Sequence, residues 1–196
     1  DLAVTGSVNQ HGEVQAIGLG MDHGERPGAQ AAYLTAYDGF RLWVLGEYAS
    51  GEGSGPPQHV EGVVQLLHRW GLTPHDVTDA RGDTNSAGWL GPGVTVNQLM
   101  EDAFATRVRM ALPPFRIQAA RKLRGGVRTR ADTLHNAFLS DRLRVHQSCR
   151  ALIHSLRYWM GLNDDLKHPV DALGYIAMDY LAVGAASGVS SIALEG

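Results

Sequence analysis

Cysteine is almost missing from this chain. Cys149 stands alone, so an internal disulfide is impossible, and so is a cysteine-rich zinc site. A reducing compartment fits. No apolar run approaches the roughly 20 residues that cross a bilayer, and the N-terminus lacks the pattern of a signal peptide. No Gly-x-x-x-x-Gly-Lys-Ser/Thr loop, dinucleotide glycine fingerprint or serine-protease signature occurs. There is no internal repeat and no low-complexity segment. Charge is modest: 19% of the 196 residues are charged and 44% are hydrophobic. That is ordinary for one folded domain that needs no disulfide or structural metal. The first residue is Asp1 rather than methionine, which suggests an excised domain or a processed chain.

Acid is absent from one long tract. Between Arg107 and Arg130 there is no Asp or Glu, while Arg107, Arg109, Arg116, Arg121, Lys122, Arg124, Arg128 and Arg130 all carry positive charge. Arg142, Arg144, Arg150 and Arg157 follow, so 12 of the 17 basic residues fall between 107 and 157, in a chain whose net charge is −3. Such a tract attracts phosphates. Arg121, Lys122, Arg124, Arg128 and Arg130, around the turn Gly125-Gly126, are the candidate contacts to a nucleic-acid backbone. A solvated basic face, or a surface against another domain, is the alternative.

Periodicity predicts strands over Glu13–Met21, Ala31–Tyr37 and Arg41–Tyr48, with Asp38-Gly39 as a hairpin turn. A polar loop follows over Ala49–Pro57. A helix is expected over Gln58–Trp70, with Gly71 as its stop, and a short strand over Asp76–Ala80. Asp83–Gly93 reads as loop and Asn97–Met110 as helix. After the Pro113-Pro114 break, Phe115–Val127 is mixed and basic. Ala131–Phe138 is weakly helical, Leu143–His146 a strand and Cys149–Met160 a helix. Asn163–His168 is a polar loop, and Val170–Ala182 a final helix with Pro169 in its first turn. The tail after Gly184 is rich in small residues and expected to be loose. Strands first in tight succession, then alternating with helices, predict a mixed α/β layer.

Three acids fall at comparable places in this map. Asp22 ends the first strand, Asp79 ends the expected fourth, and Asp171 lies in the first turn of the last helix. Strand ends and helix starts face the rim where a site can form. Hard divalent cations prefer oxygen ligands, and clustered carboxylates without a metal would repel one another. The structural alternative is turn chemistry for the strand-end acids and a dipole or capping role for Asp171. Spacing alone does not separate the two. His23, beside Asp22, is read as a surface histidine, with a proton shuttle as the functional alternative. Trp43, Trp70 and Trp159 are expected in the core, and Trp89 in a loop.

The C-terminal third adds a resemblance. The run Arg142-Leu143-Arg144-Val145-His146, the segment Cys149–Trp159, the loop Asn163-Asp164-Asp165 and the stretch Lys167-His168-Pro169-Val170-Asp171-Ala172-Leu173-Gly174-Tyr175 resemble the closing segment of phage large-terminase nuclease domains. Gly20-Met21-Asp22-His23-Gly24 resembles their first catalytic strand, and Val77–Asp83 their second acidic strand end. The likeness runs in order along nearly the whole chain. It implies an RNase H-like mixed sheet flanked by helices, with residues 1–196 as a single nuclease domain. It implies a metal-dependent endonuclease that cuts concatemeric double-stranded viral DNA during genome packaging. Two ions of Mg²⁺ or Mn²⁺ would be bound by Asp22, Asp79 and Asp171. Asp83 is the alternative to Asp79, and Asp165 and His168 are possible further ligands. A packaging ATPase domain on the same polypeptide is implied too, and is absent from this stretch. Portal and small terminase subunit are implied partners, the host cytoplasm the implied setting, and a monomer the expected state of the isolated domain. A resolvase-like nuclease of the same fold, or a non-catalytic DNA-binding or assembly module, are the competing readings.

Overall fold

The computed structural model describes residues 14–23, 30–50, 55–83, 95–121, 126–161 and 165–182. Strands β1 (Ala16–Asp22), β2 (Ala31–Tyr37) and β3 (Leu42–Ala49) form an antiparallel meander. The β2–β3 turn is built by Asp38, whose Oδ1 accepts the N–H groups of Phe40 at 2.9 Å and Arg41 at 2.6 Å. Gly39 takes φ of 89° there, a conformation that glycine adopts without steric cost.

Helix α1 (Pro56–His68) follows, then β4 (Asp79–Gly82), α2 (Val96–Val108), β5 (Gln118–Ala119), α3 (Gly126–Leu139), β6 (Leu143–Val145), α4 (Arg150–Tyr158) and α5 (Lys167–Leu181). The six strands lie in the order β5-β4-β1-β2-β3-β6. β4 runs parallel to β1, β5 parallel to β4, and β6 parallel to β3, so the sheet is mixed. Alternation along β1 divides the core. Ile17, Leu19 and Met21 pack against Val63 and Leu67 of α1 and Met100 and Phe104 of α2. The other face carries Leu134 of α3, Leu152 of α4 and Ala172, Leu173 and Ile176 of α5.

Helix α5 lies directly on β1 because β1 presents glycine to it. A Cβ on Gly20 would stand 2.2 Å from the Ala172 carbonyl oxygen, and one on Gly18 would stand 3.0 Å from the Ile176 side chain. The helix runs antiparallel to the strand. Its start therefore lies by Asp22, and its end lies by the strand's beginning.

Several boundaries differ from the expected ones. α1 begins at Pro56, where proline suits a first-turn position. α3 begins at Gly126, and the basic segment holds the short β5. The largest consequence comes from the fourth strand, which covers Asp79–Gly82 instead of Asp76–Ala80. Asp76 closes a 3₁₀ turn over Pro74–Asp76, its Oδ2 accepting from Thr73 N–H at 2.7 Å and Thr73 Oγ1 at 2.8 Å. The strand cannot start until that turn is finished, so Asp79 opens it. The tail from 184, Trp89 and the Asn163-Asp164 pair lie outside the described residues. Among the described residues no helix is long and apolar enough to cross a membrane.

Candidate active site

Asp22 is the last residue of β1, and its side chain takes the face occupied by α5. It is 5% exposed. The first turn of α5 arrives at the same place, and His168 Nδ1 lies 2.9 Å from Asp22 Oδ2. The hydrogen bond to Asp22 raises the His168 pKa above its ordinary value, against the opposing effect of burial, and Asp165 contributes in the same upward direction. Asp165 itself is exposed, just before α5.

Asp171 follows His168 by three residues and is 4% exposed. Its Oδ1 accepts from Arg130 Nη2 at 2.5 Å and Nε at 3.1 Å. Lys167 Nζ stands 3.7 Å from its Oδ2. One turn on, the Tyr175 ring lies 5.0 Å from the Arg130 guanidinium. Burial pushes the Tyr175 phenol well above its usual range, and the charges of Asp22, Asp171 and Asp83 push it in the same direction.

The third of these is Asp83. Met21 pairs with Gly82 in the parallel register of β1 and β4, so the next residues, Asp22 and Asp83, are neighbours at the strand ends, where adjacent strands stand about 4.8 Å apart. Asp79 is elsewhere. It pairs with Gly18, four residues back along the strand, or about 13 Å at the usual rise. Its Oδ2 accepts from the Tyr180 hydroxyl at 3.3 Å, and its Oδ1 lies 3.4 Å from Arg81 Nε. Arg81 pairs with Asp179 at 2.5 Å, and Arg121 reaches Asp179 at 3.4 Å. The structure therefore brings Asp22, Asp171, His168 and Asp83 to one rim. It puts Asp79 in an ion network at the other end of α5.

Two further expectations are corrected. His23 is buried, because alternation turns it to the α1–α2 face, where its Nε2 lies 2.6 Å from Asn97 Oδ1. Burial lowers its pKa. Arg130 leaves the exposed basic face: it is 6% exposed and committed to Asp171. Arg128, by contrast, has a side chain 92% exposed, and that of Arg121 is 67% exposed. Lys122 and Arg124 lie outside the described residues. Sequence reasoning assigned Arg130 to DNA and missed its pairing. The two residues are 41 apart in the chain, and no local spacing rule joins them.

Buried carboxylate oxygens are the donors that Mg²⁺ and Mn²⁺ favour, and Asp22 and Asp171 supply them with Asp83 beside them. As arranged here, Arg130, Lys167 and His168 balance those charges. Among the described residues no group of three or more His, Cys, Asp or Glu side chains is drawn together as a metal-ligand set.

No protein-family model matches the chain, and no curated protein is similar to it in sequence. Solved structures are similar in fold. The large terminase of a thermophilic bacteriophage superposes with a TM-score of 0.61 at 10% identity, over 86% of this chain and 40% of that one. The chain thus spans about 40% of the length of that terminase. The P22 large terminase nuclease domain gives 0.56 at 16% identity, over 85% of this chain and 80% of that one. The nuclease domain of the large terminase from bacteriophage SPP1, solved with bound Mn, gives 0.52 at 15% identity, over 89% and 92%. The sheet order and the helices on both its faces are accordingly those of an RNase H-like fold, and the chain has the fold of the large-terminase nuclease domains.

Proposed function

We propose that the chain is the nuclease domain of a viral large terminase and cuts double-stranded DNA concatemers during genome packaging. The observation that carries this reading is the contact of His168 with Asp22 at the end of β1, with Asp171 three residues on in the same helix and Asp83 in the adjoining strand position. The Mn bound in the SPP1 nuclease domain supports a divalent ion as the cofactor.

Asp22, Asp83 and Asp171 are the residues that would hold the metal, one ion or two. Bound there, it would activate a water and stabilise the charge that develops at phosphorus. The chain's own residues do the rest. His168 fixes the orientation of the Asp22 carboxylate. Burial of Asp22 and Asp171 keeps bulk water from competing for their oxygens. Exposed arginines of the basic tract, Arg121 and Arg128 among them, draw the phosphate backbone in without reading sequence. Asp79 serves the fold by tying β4 to the end of α5.

A packaging ATPase domain on the same polypeptide, a portal and a small terminase subunit are the partners of this reading, in the host cytoplasm. The testing experiment is cleavage of supercoiled and linear plasmid with Mn²⁺ or Mg²⁺. Cutting that appears with metal, stops with chelator and stops in Asp22→Asn supports the reading. Metal-independent cutting, or none at all in the parent chain, sinks it. Preference for four-way junctions over duplex would move the assignment to a resolvase.

A further inference from the structure

Arg130 is the unexplained member of the site. Its guanidinium is an internal cation set on a carboxylate that the proposed function needs for a metal. A buried ion pair is a poor way to gain stability alone, since desolvation offsets most of its attraction. Yet three positions of α5 on one helical face are given over to it. Asp171 takes both donors on a single oxygen, Oδ1. Gly174 leaves room for the stem: a Cβ there would lie 2.7 Å from Arg130 Cδ and 3.2 Å from its Cβ. Tyr175 lies against the guanidinium. The second cation at Asp171 is of another kind. Lys167 stands 3.7 Å from Oδ2 on a flexible, 26% exposed side chain, so it can withdraw as Arg130 cannot.

We infer that Arg130 is a positioning residue: it pins Asp171 through Oδ1 so that Oδ2 is the oxygen offered to a divalent ion. Metal-binding carboxylates commonly need such a partner behind them, and its loss typically costs about 10–100-fold in metal affinity or activity. This inference rests on the metal reading of Asp171 given above.

The test is Mn²⁺ binding by calorimetry to the parent chain and to Arg130→Met, Arg130→Lys and Gly174→Ala, each checked for native circular dichroism. Arg130→Met is expected to weaken Mn²⁺ binding by about 10–100-fold. Arg130→Lys, which keeps the charge but loses the two-donor fork, should recover part of that loss. Gly174→Ala should weaken binding without altering any charge, by displacing the Arg130 stem. If Arg130→Met does not fold, the other two variants decide. Parental or tighter Mn²⁺ binding in folded Arg130→Lys and Gly174→Ala overturns the inference alone. A parent chain that takes up no Mn²⁺ overturns the metal reading, and the inference with it.

Discussion

His168 Nδ1 stands 2.9 Å from Asp22 Oδ2, and this contact joins the first turn of α5 to the last residue of β1 across 146 positions of sequence. An imidazole there orients the carboxylate without having to leave the site. His168→Ala is therefore expected to lower cleavage by about 10-fold or more, in the range usual for a group that orients a metal-binding carboxylate. The partly exposed side chain contributes little to packing, so the thermal midpoint should hardly move. Steady-state cleavage rates and a melting curve check both halves. A variant that melts early and cuts normally would assign His168 to stability instead.

The same junction depends on glycine. Gly20→Ala would place a methyl group 2.2 Å from the Ala172 carbonyl oxygen and 2.8 Å from Ile176 Cγ2. The obstruction is backbone, so α5 must lift from β1. Overpacking of this kind costs about 1–3 kcal/mol, and it also carries Asp171 away from Asp22. Urea denaturation should show that loss, and Mn²⁺-dependent cleavage should fall with it. Unchanged stability would mean that α5 does not approach β1 as closely as described.

His59 sets a pH dependence of folding. It is fully buried, neither ring nitrogen has a hydrogen-bond partner among the described residues, and burial with the neighbouring His23 lowers its pKa to about 3. The unfolded chain protonates His59 near its ordinary value, about 6.5, while the folded chain does not. The unfolded state thus binds more protons, and stability must fall with falling pH. The contribution is complete above about 6.5 and is lost progressively toward about 3, by at most about 1.4 kcal/mol per pH unit. Denaturant midpoints of the parent and of His59→Leu, measured from pH 7 to pH 4, test this. The variant should show the shallower slope, and equal slopes would contradict the assignment.

The exposed arginines are expected to act through phosphate alone. Arg128→Ala and Arg121→Ala should each weaken duplex binding alike for all sequences, and each should reduce the slope of log affinity against log salt by about 0.9 if its guanidinium meets a phosphate. Filter binding or fluorescence anisotropy at several salt concentrations reads this directly. A slope identical to the parent's would place DNA on another face.

Much of this architecture was legible in residues that carry their own local signal. Asp38-Gly39 marked its turn through side-chain hydrogen bonds and a positive φ, and the apolar spacing of Val60, Val63 and Leu67 marked α1. The place of Asp22 was legible because a strand end is a local feature too, whereas Asp171, expected in a first turn, lies in the second, since α5 already begins at Lys167. What escaped was set by pairing between distant segments. The 3₁₀ turn held by Thr73 and Asp76 delays the fourth strand by three residues, and that small shift exchanges Asp79 for Asp83 at the rim. Arg130 lay inside a basic run whose charge pattern pointed outward. Its pairing with Asp171, with room for its stem at Gly174, holds it inward. His23 was misjudged because the face it takes is decided by the alternation of β1 together with the arrival of α1 and α2.

The most direct measurement sets two neighbouring acids against each other. Asp79 opens β4 and Asp83 follows it, but only Asp83 comes after the Met21–Gly82 pair, at the rim beside Asp22. Mn²⁺-dependent nicking of supercoiled plasmid should therefore be lost in Asp22→Asn, Asp171→Asn and Asp83→Asn, by about 100-fold or more if each holds the metal. Asp79→Asn should keep its cleavage rate at temperatures where it stays folded, with only a lower melting point from the weakened pairing to Arg81 and Tyr180. Cleavage retained in Asp83→Asn and lost in a folded Asp79→Asn would contradict the site described here.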